Sequence, residues 1–195
     1  MTDINEIKKK AAIWLGEEFN EATRREVKEM LEGPEENLVD AFYQDLEFGT
    51  GGLRGLMTTQ GLANYLKKNF GNQPVKVAIA HDCRNNSRYF AETAAEIFSA
   101  NGFEVLLFES LRPTPVLSFA IRQYKCRSGV VITASHNPPE YNGYKAYWED
   151  GGQVVPPHDT AIIDEVRKIR SVKEIRFGAD RSKIKILGKE TDRLF

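Results

Sequence analysis

Cysteine is scarce in this sequence: only Cys83 and Cys126 occur in 195 residues, far apart and in no CxxC or Cys/His pattern. That argues against a disulfide framework or a structural zinc site and makes a reduced, cytoplasmic setting the simplest expectation. Long apolar runs are missing too. No uninterrupted stretch approaches membrane-spanning length, and the opening residues MTDINEIKKKAAIWLGEEF carry charge where a signal peptide needs an apolar core. Neither charge sign dominates: 27 Lys and Arg face 28 Asp and Glu, a net -1. No general field favours nucleic acid or an anionic membrane, so neither is expected as a partner, and any anion recognition must be local. Internal repeats and low-complexity tracts are also lacking.

What is present suits one well-packed domain, or one domain with an appendage: 41% of residues are hydrophobic and 28% charged. Residues 4–32 read as helical, with Ile4, Ile7, Ala11, Trp14, Leu15, Val27, Met30 and Leu31 forming a broken apolar stripe, and Gly33-Pro34 stops the pattern. Residues 35–46 predict another short helix with Leu38, Phe42 and Leu46 on one face. The glycine-rich stretch FGTGGLRG, residues 48–55, predicts a loop whose backbone amides can come close to a ligand.

A helical pattern over 59–70 leads to an apolar strand at 75–80, a loop at 81–87 and a small-residue helix at 88–100 stopped by Asn101-Gly102. A strand at 103–108, a helix at 113–124 and a strongly apolar strand at 129–133 follow. Residues 143–148 alternate and can hairpin back on that strand; 158–170 resemble an amphipathic helix and 183–187 a short edge strand. This alternation predicts an α/β fold, a three-layer α/β/α sandwich with a mixed, mostly parallel sheet, and puts function at the loops after the strands. The expected division is a helical extension at 1–47, the α/β domain at 48–190 and the start of a linker at 191–195.

Ser135 stands out within Thr133-Ala134-Ser135-His136-Asn137-Pro138-Pro139. A buried strand that breaks into a proline-stiffened turn holds a small hydroxyl rigid and exposed. Serine is a poor nucleophile without a base, but a phosphorylated serine is already an activated donor and needs cations around it. His136, Asn137 and Lys145 supply donors nearby in sequence. Taken alone, an SHN triplet reads as well as a polar turn. FGTGGLRG suits phosphate binding through close amides and Arg54, yet it lacks dinucleotide or P-loop register and also fits a linker.

The thirteen residues TASHNPPEYNGYK closely resemble the phosphoserine loop of the α-D-phosphohexomutases, the family of phosphoglucomutase and phosphomannomutase. The resemblance implies a phosphoserine that gives its phosphoryl group to a bound hexose monophosphate. The bisphosphate turns over in the site and its other phosphate returns to the serine, so hexose 1-phosphate and hexose 6-phosphate interconvert. By motif position Ser135 is the phosphoryl carrier, His136 and Asn137 line the transferring group, and Lys145 assists proton transfer. Thr50 and Arg54 correspond to the family's Gly-Thr-x-Gly-Leu-Arg segment facing the phosphoserine. Arg54 is always charged, so it stabilises the moving group rather than shuttling protons. His81-Asp82-Cys83-Arg84 is similar to the family's Asp-x-Arg turn, which reads Asp82 and Arg84 either as braces for the Ser135 loop or as members of a surface turn.

The resemblance further implies Mg²⁺, with the Ser135 phosphate oxygen as one ligand, and glucose 1,6-bisphosphate as activator. The family's DGDxDR metal cluster, its ExSGH sugar loop and its distal phosphate site lie in further domains and are not among these residues. The expectation is therefore a first domain cut from or truncated out of a longer enzyme, ending near the second domain, partnered by the missing domains and inactive alone. One departure stands out: family members usually carry a longer loop after GLRG, whereas here Leu56-Met57 runs almost directly into Thr58-Thr59-Gln60-Gly61. TASHNP and the extension around TRREV lean toward glucose, mannose or pentose phosphates. A non-catalytic phosphosugar-binding module is the alternative; a serine hydrolase is disfavoured because no GxSxG or SxxK surrounds Ser135.

Overall fold

The computed structural model describes residues 4–17, 21–35, 38 and 53–195. The chain divides into two compact units, Met1–Glu47 and Phe48–Phe195. In the first, α1 (Ile4–Ala12), a 3₁₀ turn (Ile13–Leu15) and α2 (Glu21–Glu32) replace the continuous helix expected over 4–32. Ile7, Ala11, Val27 and Leu38 form their core, with Ile4, Trp14, Met30 and Leu31 packed on it. Leu15 departs from the stripe and is exposed, because the tighter turn and the extended Gly16 after it break the helical phase. Most of the short helix expected at 35–46 lies outside the described residues.

In the second unit α3 (Leu53–Phe70) precedes β1 (Lys76–His81), α4 (Ser87–Ala100), β2 (Glu104–Phe108), α5 (Thr114–Gln123), β3 (Ser128–Ile132) and β4 (Tyr144–Trp148). Helix α6 (His158–Lys168), β5 (Ile184–Leu187) and α7 (Lys189–Leu194) complete it. The five strands lie in the order β4-β3-β1-β2-β5. β1, β2, β3 and β5 run parallel, and β4 is antiparallel to β3, with Ser128 opposite Trp148 and Ile132 opposite Tyr144.

The expected three layers are there. Alternation sends Ala78, Ala80, Leu106, Phe108, Val131 and Tyr147 to one face, where Val116, Leu117, Ala120 and Ile121 of α5 cover them. Helix α4 packs on β1, β2 and β3 from the opposite side and is backed by α3, which in turn packs on α6. Side chains inside β1 and β3 are almost wholly excluded from solvent, as central strands buried on both faces require. Gly61 lets α3 and α6 touch, since a side chain there would run into Val166. Gln60 and Asn101 exchange amide hydrogen bonds of 3.1 and 2.8 Å, and Lys67 Nζ donates to Asn101 Oδ1 at 2.7 Å, tying α3 to the end of α4.

The glycine-rich stretch differs from its expectation. Leu53, Arg54 and Gly55 already form the first turn of α3, and the helix runs unbroken past the start expected at residue 59. Glycine costs a helix about 1 kcal/mol relative to alanine. Burial of Met57, Leu62, Ala63 and Leu66 along the same helix outweighs that. No helix among the described residues is long and apolar enough to cross a membrane.

Candidate functional site

Chain order and strand order together fix where a site can form. From β1 the chain crosses over α4 to β2 on one side; from β2 it crosses over α5 to β3 on the other side of β1. The direction of winding therefore reverses between β1 and β3. Open α/β sheets offer a crevice at such a switch point, beyond the carboxyl ends of the strands. The loops leaving those two ends are residues 82–86 and 133–143, the segments that carry Asp82, Arg84 and Ser135.

Ser135 is exposed and sits at φ 56°, a left-handed conformation that costs a non-glycine residue about 1–2 kcal/mol. The surroundings hold it there. Arg84 Nη2 donates to the Ser135 carbonyl at 2.6 Å, and Nη1 donates to the carbonyls of Asn137, Pro138 and Tyr141 at 2.7, 2.6 and 3.2 Å. Asp82 aims the guanidinium by accepting from Arg84 Nε at 3.0 Å and from the Arg84 backbone amide at 2.9 Å. The Ser135 amide donates to Thr133 Oγ1 at 3.3 Å. Only 8% of the Arg84 side chain is exposed, so this arginine braces the loop, the first of its two sequence readings, and is not a surface turn residue.

Two further ties were not foreseen. Asn142 Nδ2 donates to the Asn85 carbonyl at 2.6 Å, and the Asn85 amide donates to the Pro139 carbonyl at 3.0 Å. Asn142 is buried, whereas Asn-Gly at 142–143 reads in sequence as an ordinary turn pair. The same pair holds the signal for Gly143: its carbonyl accepts from the Thr133 amide at 2.9 Å, and a side chain at 143 would run into the Thr133 carbonyl.

The other candidates lie around this loop. His136 and Asn137 follow Ser135 directly and are exposed. Lys145 is partly buried on β4, opposite Val131, in the hairpin whose connecting segment contains Ser135. Arg54 lies in the first turn of α3; the next two residues, Gly55 and Leu56, line one cavity with Ile132 and Tyr144 at the ends of the hairpin strands. The packing thus brings the Arg54 turn to the hairpin that carries both Ser135 and Lys145. Thr50 and the rest of Phe48–Gly52 lie outside the described residues.

The donor set of this chain does not by itself fit a divalent cation. Among the described residues no three His, Cys, Asp or Glu side chains come together, and Asp82 is engaged by Arg84. Cys126 is buried, which pushes its thiol up to about 12 and disfavours the thiolate.

Comparison with known proteins meets this geometry. Residues 45–173 match the family described as phosphoglucomutase/phosphomannomutase, alpha/beta/alpha domain I. A human phosphopentomutase is 38% identical over 179 residues, covering 80% of this chain and 29% of that protein. A mouse glucose 1,6-bisphosphate synthase is 33% identical over 172 residues, covering 77% and 28%. Among solved structures, the exocytosis-sensitive phosphoprotein pp63/parafusin (phosphoglucomutase) from Paramecium, in its open form, superposes with a TM-score of 0.61 at 18% identity over 72% of this chain and 31% of that one; this likeness is one of fold. The chain spans less than a third of the length of these relatives. With its family match, its mixed sheet and its loops at the switch point, the chain belongs to the phosphoglucomutase/phosphomannomutase family and carries that family's α/β/α domain I.

Proposed function

We propose that this chain is the phosphoserine-bearing first domain of a phosphosugar mutase that interconverts hexose 1-phosphate and hexose 6-phosphate, with glucose or mannose as the sugar. The observation that carries this reading is the exposed Ser135 hydroxyl on a left-handed residue whose loop is gripped by Arg84. In the forward half-reaction a free sugar hydroxyl gives up its proton and attacks the phosphorus of phospho-Ser135, the P–O bond to the serine breaks, Ser135 Oγ takes up a proton, and the bisphosphate turns over in the site. In the return half-reaction Ser135 Oγ gives up its proton and attacks the other phosphate, the P–O bond to the sugar breaks, and the freed sugar oxygen is protonated.

Each residue of the chain has one task in that exchange. Arg54 has the task of stabilising charge on the phosphoryl group as it moves, and Thr50 is assigned to the same group by its place in the motif. His136 and Asn137 line the group. Lys145 assists proton transfer at the serine oxygen. Mg²⁺ would neutralise phosphoryl charge when bound, and among the described residues the oxygen offered to it is that of phospho-Ser135; the remaining ligands, the sugar site and the distal phosphate site are assigned to the rest of the polypeptide.

Incubation of the purified chain with glucose 1,6-bisphosphate tests the reading: mass spectrometry should show one phosphoryl group gained on Ser135. No gain would favour the alternative, a non-catalytic module that only binds phosphosugars. The chain alone should show no steady conversion of glucose 1-phosphate. A pentose reading is favoured by the 38% identity to a phosphopentomutase. Faster phosphorylation by ribose 1,5-bisphosphate than by glucose 1,6-bisphosphate would select it over the hexose reading.

A further inference from the structure

Beneath the carboxyl end of β3 lies a cavity of about 30 Å³ lined by Gly55, Leu56 and Thr59 of α3, Phe90, Thr93 and Ala94 of α4, and Ile132 and Tyr144 of the hairpin. Its volume suits one water molecule, which needs at least about 10–15 Å³. The Tyr144 hydroxyl is shut off from solvent and makes no hydrogen bond within distance and angle limits to any described residue. Burial pushes the phenol above its ordinary range, with the adjacent Thr59 hydroxyl acting the other way, so it stays a neutral donor. A buried hydroxyl left without a partner is destabilising, because its hydration is lost and not replaced.

The hydroxyls around it have a defined polarity. Thr59 Oγ1 donates to the Gly55 carbonyl at 2.7 Å, and Thr93 Oγ1 donates to the Tyr89 carbonyl at 2.8 Å. Each has committed its proton and retains an oxygen that accepts. Tyr144 thus offers a donor and Thr59 an acceptor, the complement of a water that accepts once and donates once.

We propose that this cavity binds one ordered water, taking a hydrogen bond from Tyr144 Oη and giving one to Thr59 Oγ1, and that Tyr144 thereby acts as a positioning residue. The chain of contacts runs from Tyr144, the neighbour of Lys145 on β4, through the water and Thr59 to the Gly55 carbonyl, the neighbour of Arg54 in the first turn of α3. It fixes the spacing between the strand that carries Lys145 and the helical turn that carries Arg54. That spacing matters only under the phosphosugar-mutase reading, on which the positioning role rests; the water stands without it.

Three measurements on the 195-residue chain test the proposal. A crystal structure with ordered solvent should show density within hydrogen-bond distance of both Tyr144 Oη and Thr59 Oγ1; well-ordered side chains around an empty cavity overturn the water. Denaturant unfolding of Tyr144→Phe, Thr59→Val and the double variant should be strongly non-additive, the pair losing little more than the worse single, because both remove partners of one water. Full additivity contradicts a shared water. Under saturating glucose 1,6-bisphosphate, Tyr144→Phe should slow phosphoryl gain on Ser135 severalfold, while the donor concentration giving half-maximal rate stays unchanged. A wild-type rate in that variant overturns the positioning role. Failure of the wild-type chain to gain any phosphoryl group refutes the mutase reading and the positioning role with it, and leaves the water to the crystal structure.

Discussion

Two arginines at the same edge of the sheet show two ways to fix a loop. Arg84 follows β1 and grips the 133–143 segment, with four backbone carbonyls as its acceptors and Asp82 alone as its counter-charge. Arg112 follows β2 and grips α7 through a two-point pair with Asp192 at 2.6 and 2.7 Å, with Ser110 Oγ and the Leu111 carbonyl as further acceptors. Both side chains are largely covered, 8% and 13% exposed. The difference lies in what they hold. Carbonyl acceptors have no titration, and four of them along one turn specify a backbone path, including the left-handed Ser135. A two-point carboxylate pair fixes the guanidinium against a single side chain of α7, and it responds to pH.

The largest effect should follow Arg84→Ala. The freed carbonyls can meet water, so the cost is below the sum of its charged hydrogen bonds, about 2–3 kcal/mol in denaturant unfolding. Phosphoryl gain on Ser135 should fall much further than stability does, because the left-handed turn loses its support. Arg84→Lys comes next: the charge remains but the planar fork is lost, and most of the Ser135 defect should persist. A near-wild-type rate in that variant would mean that charge, not geometry, is what the loop needs.

Asp82→Asn should cost about 1 kcal/mol, since it keeps an acceptor near Arg84 Nε but removes the charge assistance. Its phosphoryl gain should lie between wild type and Arg84→Lys.

Asp192→Asn should be the mildest, and visible mainly through pH. The hydrogen bond from Arg112 holds the Asp192 carboxyl below its usual 3.8. A depressed carboxylate stabilises fully above its unfolded value, and that contribution disappears as pH falls through the lower folded value. The gap in unfolding midpoint between wild type and Asp192→Asn should therefore be constant at neutral pH and close only below about 3.8. A gap that closes near neutrality would break the contrast between the two arginines.

The sheet was legible because its strands are short apolar runs bounded by turn residues, and their alternation with helices predicts a mostly parallel sheet; the strand order was not predicted. The antiparallel β4 followed from the alternation of residues 144–148. The start of α3 was not legible, because glycine count favours a loop locally, and only the burial of Met57 to Leu66 makes the turn at Leu53 helical. Leu15 failed for a related reason: periodicity assumes one unbroken helix, and a 3₁₀ turn shifts the phase. At the site, Ser135 was singled out by its motif, and Arg84 by the resemblance of its segment to an Asp-x-Arg turn after a strand. Asn142, Thr133 and Tyr144 were missed, since turn, strand-end and alternating-strand residues become partners only through the hairpin, and a buried hydroxyl is a property of packing.

The account centres on Ser135 as a phosphoryl carrier held by Arg84. The direct measurement is the intact mass, with site mapping, of wild type, Ser135→Ala and Arg84→Ala after equal exposure to glucose 1,6-bisphosphate. One phosphoryl group on Ser135 in wild type, none in Ser135→Ala and a strongly slowed gain in Arg84→Ala are predicted. A wild-type chain that gains nothing, or an equal gain in Ser135→Ala, would contradict it.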